Sequence, residues 1–450
     1  MTRQLHLNLF IHGKGHHEAA WRHPSASPRA LTDIAYYREL AQAAEAAAFD
    51  SIFFADHVTL GEEIGHAAKG GLEPITTLAA LAGATSRIGL IATASTSFTE
   101  PYNLARQFAS LDHISGGRIG WNVVTTWVGA AAGNYGQDAL APHAERYARA
   151  EDFLDAVTKL WDSWDDAAVL EDRAAGRYAD PALIRRIDHQ GPYYRVTGPL
   201  NVPRGPQGRP VLVQAGSSAT GKRFAARHAE AVFTAHLEQA TARDFAAELK
   251  GLAASFGRDP AGLLVLPGIS PVIGSTEAEA QRLWRELNDL TDAGVGLSRL
   301  SARFGGHDFS HLPLDRPLTP EDFPDPAKVQ AAQSRAQVIV GLVARERPTL
   351  LQLLHGLAGA RGHFTLAGTP EQVAAVIEDW FRAGAADGFN LMPPILPQQF
   401  SVFVEQVVPL LRRRGLFRTE YGGRTLRGHY GLARPANHIF AAPAPVRALA

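Results

Sequence analysis

The 450-residue sequence contains no cysteine. That absence removes disulfides, thiolate nucleophiles, cysteine-held zinc and iron–sulfur clusters together. It fits a reducing cytosol, so a cytoplasmic location is expected. Net charge is almost absent as well: 44 basic and 45 acidic residues leave −1. Nothing in that balance favours nucleic acid or an acidic membrane. No apolar run approaches ~20 residues, so no membrane span is expected. The opening MTRQLHLNLFIHGKG lacks a long apolar run and a small-residue cleavage site, and reads as a first strand rather than a signal peptide. There is no H-E-x-x-H and no dense carboxylate cluster. A metallohydrolase would need several His and Asp ligands, and a glycosidase two facing carboxylates. A metal held by His12, His16 and His17 lacks a second cluster to complete it, so no metal site is expected.

What the chain does have is alternation, organised around residues 118–164. Residues 118–126 are β-branched and aromatic, as a buried strand requires. A Gly- and Ala-rich loop at 129–141 follows, and Pro142 precedes a long helix. Phe153, Leu154, Val157, Leu160, Trp161 and Trp164 form one stripe on that helix, facing a core. His143 and Tyr147 are four apart at its start and share a face near the strand's carboxyl end. Similar strand and helix patterns precede and follow, eight of each around two insertions. Near-continuous apolar strands alternating with helices predict a parallel sheet, and the number eight predicts a closed (β/α)8 TIM barrel rather than an open sheet. One enlarged domain is expected over residues 1–450, with insertions at about 165–208 and 294–366 and a C-terminal tail at about 415–450. The first insertion carries a small hairpin near Tyr193 and Tyr194 in this reading. The second opens as a loop with Gly294, Gly296, Gly305 and Gly306 as hinges, and reads as a lid or a subunit contact.

In such barrels the chemistry sits at the carboxyl ends of the strands. Those ends offer His16, Asp56, Thr93, Ser95, Asn122, Thr125, Ser217, Ser218 and Asn390. Polar but mostly uncharged rims suit a cofactor that carries its own chemistry and needs orientation. GSSATGKR at 216–223 nearly matches a phosphate loop, but Arg223 stands where the Mg²⁺-binding hydroxyl belongs. An ATPase is therefore not expected. A strand followed by Gly-Ser-Ser opening a helix still presents backbone N–H groups to a phosphate.

The stretches GGRIGWNVVTTW, HAERYARAEDFLDAVTKLW, PVLVQAGSSATGKRFAARHAE and GTPEQVAAVIEDWFRAGAADGFNLMPP resemble the bacterial luciferase-like flavin monooxygenases. The resemblance is to the branch with nitrilotriacetate, dibenzothiophene-sulfone and long-chain-alkane monooxygenases and pristinamycin synthase, and runs from about Leu5 to about Leu432. It implies a luciferase-like TIM barrel with large insertions. It also implies reduced FMN supplied by a separate NAD(P)H:flavin reductase, O2 as co-substrate, and oxygenation of a small organic substrate, with C–S or C–N cleavage in some members. Residue by residue, it places Asp56 and Thr93 by the flavin ring and ribityl chain, and Asn122 near the ribityl chain. His143 and Tyr147 match the family's HxxRY pair, with Tyr147 on the phosphate, and Ser217 and Ser218 match the helix start that grips it. His16 matches a loop histidine near the reactive flavin edge. At Trp127 the alkane-oxidising member carries His, so this pocket is more apolar there and alkane hydroxylation is not supported.

Plainer readings stand beside these. His16 fits a solvated loop, Asp56 a helix N-cap, Asn122 a strand cap, and Tyr147 and Trp127 core packing. Two other functions also stay open. One is a deazaflavin-dependent hydride-transfer enzyme on the same barrel; the other is a non-catalytic flavin-binding protein. A homo-oligomer, dimer or tetramer, is the expected assembly.

Overall fold

Side chains that alternate along short apolar runs build the centre of the molecule. In β1 (His6–Phe10), Leu7 and Leu9 pack outward against helices, while Asn8 and Phe10 turn into the barrel interior. The computed structural model describes residues 3–66, 68–329, 333–360 and 362–440. Eight further strands share the sheet among the described residues: β2 (Ser51–Phe54), β3 (Gly89–Ser95), β4 (Ile119–Val124), β5 (Val211–Gln214), β6 (Ala231–Thr234), β7 (Leu264–Ile273), β8 (Phe364–Gly368) and β9 (Gly388–Leu391). Their order is β6-β5-β4-β3-β2-β1-β9-β7, and β6 pairs with β7, closing an eight-stranded parallel barrel ringed by helices. The barrel expected from the alternation is present.

Strand β8 was not expected. It lies at the end of the second insertion and pairs with the upper half of β7, from Ile269 to Ile273. β7 runs for 10 residues, so its lower half can serve β6 and its upper half β8. The opening of the same insertion, expected as a loop, is a helix. Asp292 caps a helix, Ala293–Arg303, by accepting from the Val295 N–H at 2.9 Å, and Gly294 and Gly296 lie inside it. A Cβ on Gly296 would stand 3.3 Å from Leu354, so that glycine serves close helix packing. Gly305 and Gly306 have φ of +71° and +91° and end the helix. With Gln333–Glu346 and Leu350–Ala360, this helix surrounds its own core of Leu300, Phe304, Phe309, Leu318, Phe323 and Leu353.

The first insertion carries two small hairpins, and one pairs His189–Gln190 with Arg195–Val196, as expected near Tyr193 and Tyr194. Asp152, on the central helix His143–Trp161, holds it by accepting from the Tyr193 and Tyr194 N–H groups at 2.8 Å each. The segment read as a tail has a structural role. Residues 416–432 run beneath the amino end of the barrel, with the Leu5 N–H donating to Leu416 O and the Tyr421 hydroxyl to Phe49 O. Leu426 and Tyr430 plug that end and join the interior cluster of Phe10, Phe53, Ile91 and Phe233. A Cβ on Gly89 would lie 2.4 Å from Leu426, which is why β3 needs glycine there. Asn390 is also corrected. It belongs to the barrel interior, not the rim: Asn8 Nδ2 donates to its Oδ1 at 3.1 Å, and its own amide donates to Leu266 O at 3.2 Å. Among the described residues no helix is long and apolar enough to cross a membrane.

Candidate active site

The floor of the carboxyl mouth is aromatic. Phe10, Phe53 and Phe233 meet edge to face with ring centroids 4.7 to 5.8 Å apart, and His363 lies flat on Phe233 at 4.8 Å and 5°. Polar groups rise from β3 and β4 beside it. Thr93 and Asn122 are register partners. Asn122 Nδ2 donates to Thr93 Oγ1 at 2.8 Å, and Thr93 donates to Phe54 O at 2.8 Å. Asn122 is 3% exposed, yet its Oδ1 has no hydrogen-bond partner among the described residues. A buried acceptor left unpaired costs about 1–3 kcal/mol, so it asks for a donor such as a polyol hydroxyl.

A second polar locus lies at the end of β5. The Tyr147 ring is buried, and its hydroxyl abuts Gly216 and Gly221 so closely that a Cβ on either would stand 2.7 or 2.9 Å from it. Burial pushes the phenol up, and the Ser218, Thr125 and Gln214 side chains bond to it and oppose that shift. Tyr147 is thus a neutral donor. Ser218 caps helix Ala219–His228 by accepting from the Gly221 N–H at 3.1 Å, and His143 Nε2 lies 3.5 Å from its hydroxyl. Burial, then Arg146, pulls the His143 imidazole down, so it stays neutral at pH 7. Ser217 faces Thr234 at 3.4 Å. A helix start, two glycines with no room for a methyl, a phenol and a hydroxyl form a cradle for a phosphate. Lys222 does not take part, because its Nζ pairs with Glu248 at 2.5 Å; the near-match to a phosphate loop therefore stops at the backbone.

His16 is not a solvated loop residue. It is 2% exposed, with Nε2 2.8 Å from Phe10 O and its ring 4.5 Å from Phe10. The geometry around it is forced: a Cβ on Gly15 would stand 2.2 Å from Pro394 O. Asp56 is not a helix N-cap; the next α-helix, Pro74–Ala82, is capped by Glu73. Burial, then the charge of Glu73, pushes the Asp56 carboxyl up. Trp127 is 51% exposed, so core packing is excluded for it. It follows Thr126, whose φ of 49° is unusual for a β-branched residue and whose hydroxyl lies 2.6 Å from Ser95 Oγ.

The structure thus brings Thr93 and Asn122 together, gathers His143, Tyr147, Ser217 and Ser218 into a second cluster, sets His16 against the floor, and leaves Trp127 at the rim. The sequence reading missed Gln214, His236, Arg335 and His363. Gln214 lies among the strand-end polar residues that drew attention to Ser217, so its side chain was a findable signal. Arg335 and His363 belong to the second insertion, and no local pattern marks them.

The profile of the family described as Luciferase-like monooxygenase matches residues 14–387. The N-acetyl-S-(2-succino)cysteine monooxygenase of Bacillus subtilis (strain 168) is 45% identical over 435 residues, covering 97% of this chain and 98% of the relative. The nitrilotriacetate monooxygenase component A of Aminobacter aminovorans is 46% identical over 450 residues, with 97% and 98% covered. Among solved structures, a riboflavin lyase with modified FMN and riboflavin matches with a TM-score of 0.84 at 33% identity, covering 95% of this chain and 96% of that one.

Proposed function

The chain belongs to the luciferase-like monooxygenase family, and on that premise we propose that it is the oxygenase of a two-component system. In this reading it takes reduced FMN from a separate NAD(P)H:flavin reductase and uses O2 to oxygenate a small organic substrate. The observation that carries the reading is the unpartnered, buried Asn122 Oδ1 facing the same barrel mouth as the Tyr147 cradle. Reduced FMN, when bound, supplies the two electrons that let one oxygen atom enter the substrate while the other leaves as water. Asn122 Oδ1 accepts from a ribityl hydroxyl, with Thr93 fixing the amide. Tyr147, His143, Ser217, Ser218 and the N–H groups of the helix start hold the phosphate. The aromatic floor and His16 exclude water beneath the ring system. His16, whose Nε2 lies 2.8 Å from Phe10 O, is fixed in orientation against the floor. Asp56, its carboxyl pushed up by burial, would stand on the flavin side, and Trp127 would line the substrate entrance. Oxygen inserted at a carbon beside nitrogen or sulfur gives a hemiaminal or hemithioacetal. That species breaks to a carbonyl and an amine or thiol, which accounts for C–N or C–S cleavage. The name of the second relative, a component A, supports a separate partner component.

The test is turnover with FMN, NADH and any flavin reductase across aminopolycarboxylates, sulfones and thioethers. Substrate is expected to disappear only when reduced FMN is formed. NADH oxidation by this chain alone, or turnover with a reduced deazaflavin but not with reduced FMN, overturns the reading.

Tyr147→Phe is expected to weaken reduced-FMN binding by about 1 kcal/mol, or by up to ~3 kcal/mol because the phosphate is charged. Thermal stability should hold, since the buried ring packs on Phe224 without needing the hydroxyl. An unchanged dissociation constant removes Tyr147 from the site.

A further inference from the structure

One guanidinium stands over the aromatic floor and a second lies near it, neither within ion-pair distance of a carboxylate among the described residues. Arg335 donates to Gly362 O at 3.2 Å and meets His363 Nε2 at 2.7 Å, neither of them a carboxylate. Since His363 lies flat on Phe233, the Arg335 fork sits one ring above the barrel interior. Arg303, the last residue of its helix, makes no hydrogen bond or ion pair among the described residues. The carboxylate that faces it, Glu18, already pairs with Arg299. Both arginines are half-buried. Burial pulls each down to about 10; next in effect, Arg299 does the same to Arg303, and Arg303 to Arg335. His236, on the same side, is pulled down to about 4, by burial first and then by Arg335, so it is neutral and adds no anion. Like charges half-withdrawn from water and near enough to act on each other are unfavourable unless an anion offsets them. The planar fork of arginine matches a carboxylate in two parallel hydrogen bonds.

We propose that Arg303 and Arg335 are specificity-determining residues that hold a carboxylate of the substrate above the barrel mouth, so that the oxygenated molecule is a small carboxylic acid. The inference rests on the oxygenase reading above and adds the substrate's chemical class. The Tyr147 cradle at the end of β5 already accounts for the cofactor phosphate, which leaves the two arginines to a different anion.

The probes are nitrilotriacetate, thiodiglycolate and their methyl esters, bound to the full chain with reduced FMN under anaerobic conditions and measured by calorimetry. The acids are expected to bind and the esters to bind at least roughly tenfold more weakly, the scale of one charge-assisted hydrogen bond. R303Q and R335Q should each raise the acids' dissociation constants by about tenfold or more and leave the esters and reduced FMN unchanged. R303K and R335K keep the charge but not the fork, and should fall between. Equal binding of acids and esters overturns the proposal, as does acid preference that survives both glutamine variants. An equal loss of reduced-FMN affinity in those variants also overturns it, because the arginines would then belong to the cofactor phosphate. Acid preference without reduced-FMN-dependent turnover of any substrate would instead overturn the oxygenase reading, so the two failures are separable.

Discussion

Gly216→Ala is expected to weaken reduced-FMN binding by roughly 5- to 150-fold, the range set by about 1–3 kcal/mol of overpacking. The added methyl would stand 2.4 Å from Gln214 Nε2, 2.7 Å from the Tyr147 hydroxyl and 3.2 Å from Gly221 Cα. Gln214 cannot swing away without loss, because its Oε1 accepts from the Gly216 N–H at 2.7 Å. Tyr147 cannot retreat either, since it is packed between His143 and Phe224 with ring centroids at 4.9 and 5.7 Å. The backbone of the loop must therefore move, and with it the N–H groups proposed to hold the phosphate. Gly251→Ala is the control: it lies in helix Gln239–Ser255 with nothing within 4 Å of the new methyl, and should leave flavin binding unchanged. Anaerobic titration with reduced FMN, beside a melting curve for each variant, gives the answer. Parent-like affinity in Gly216→Ala would move the phosphate away from the end of β5.

The largest loss of stability is expected at Asp50, far from the mouth. Its carboxylate is fully buried at the amino end of the barrel, where Oδ2 accepts from the Leu7 N–H at 2.7 Å and Oδ1 meets His6 Nδ1 at 2.9 Å. It also pairs with Arg418, from the segment that runs beneath the barrel. Asp50→Ala would leave a buried guanidinium unpaired and should cost about 3–5 kcal/mol. The pH dependence has a definite sign. Burial alone would raise the Asp50 carboxyl, but Arg418 and then His6 outweigh it and hold it at about 2. A depressed acid contributes stability that is fully present above its ordinary value near 4 and is lost as pH falls through about 2. From that shift the contribution is about 2 kcal/mol. Melting temperatures at neutral pH and near pH 3 test both parts. The parent should lose stability on acidification, and the variant should begin lower and lose less. A variant with the parent's melting temperature, or with the same acid sensitivity, would show that Arg418 finds its charge elsewhere.

Much of the architecture was legible in the chain because it follows from local rules. The eight barrel strands were visible as apolar runs, and both ends of one helix were visible, Thr369 and Pro370 at its start and Gly384 just past its end. The structure shows there the reciprocal Thr369–Gln372 cap and a φ of +73° at Gly384. The spacing of His143 and Tyr147 determined that they share a helix face, since side chains four apart on a helix always do. The positions of polar residues at strand ends likewise pointed to the groups near the mouth, Thr93 and Asn122 among them, once the strands were parallel.

Only tertiary structure decided the rest. Asn390 lies on a barrel strand with its side chain inward, but how high it stands depends on strand register, and its pairing with Asn8 puts it below the rim. Gly294 and Gly296 read as hinges because glycine is a poor helix former. Both instead lie inside a capped helix, and at Gly296 that helix packs so close to Leu354 that an added Cβ would stand 3.3 Å from it. That Leu426 and Tyr430 would plug the barrel could not be read from a short polar tail, because the hole they fill is made by Gly89 and Gly120, hundreds of residues earlier. In the sequence Arg303 was one of several polar groups of the second insertion, with Arg299, His307 and His311, that could meet an anionic substrate, and Arg335 carried no mark. That neither makes an ion pair among the described residues arises from three-dimensional placement, where Glu18, which faces Arg303, is taken by Arg299. Periodicity and capping act over a few residues and are written in the chain; charge pairing and cavity shape act across the whole fold and are not.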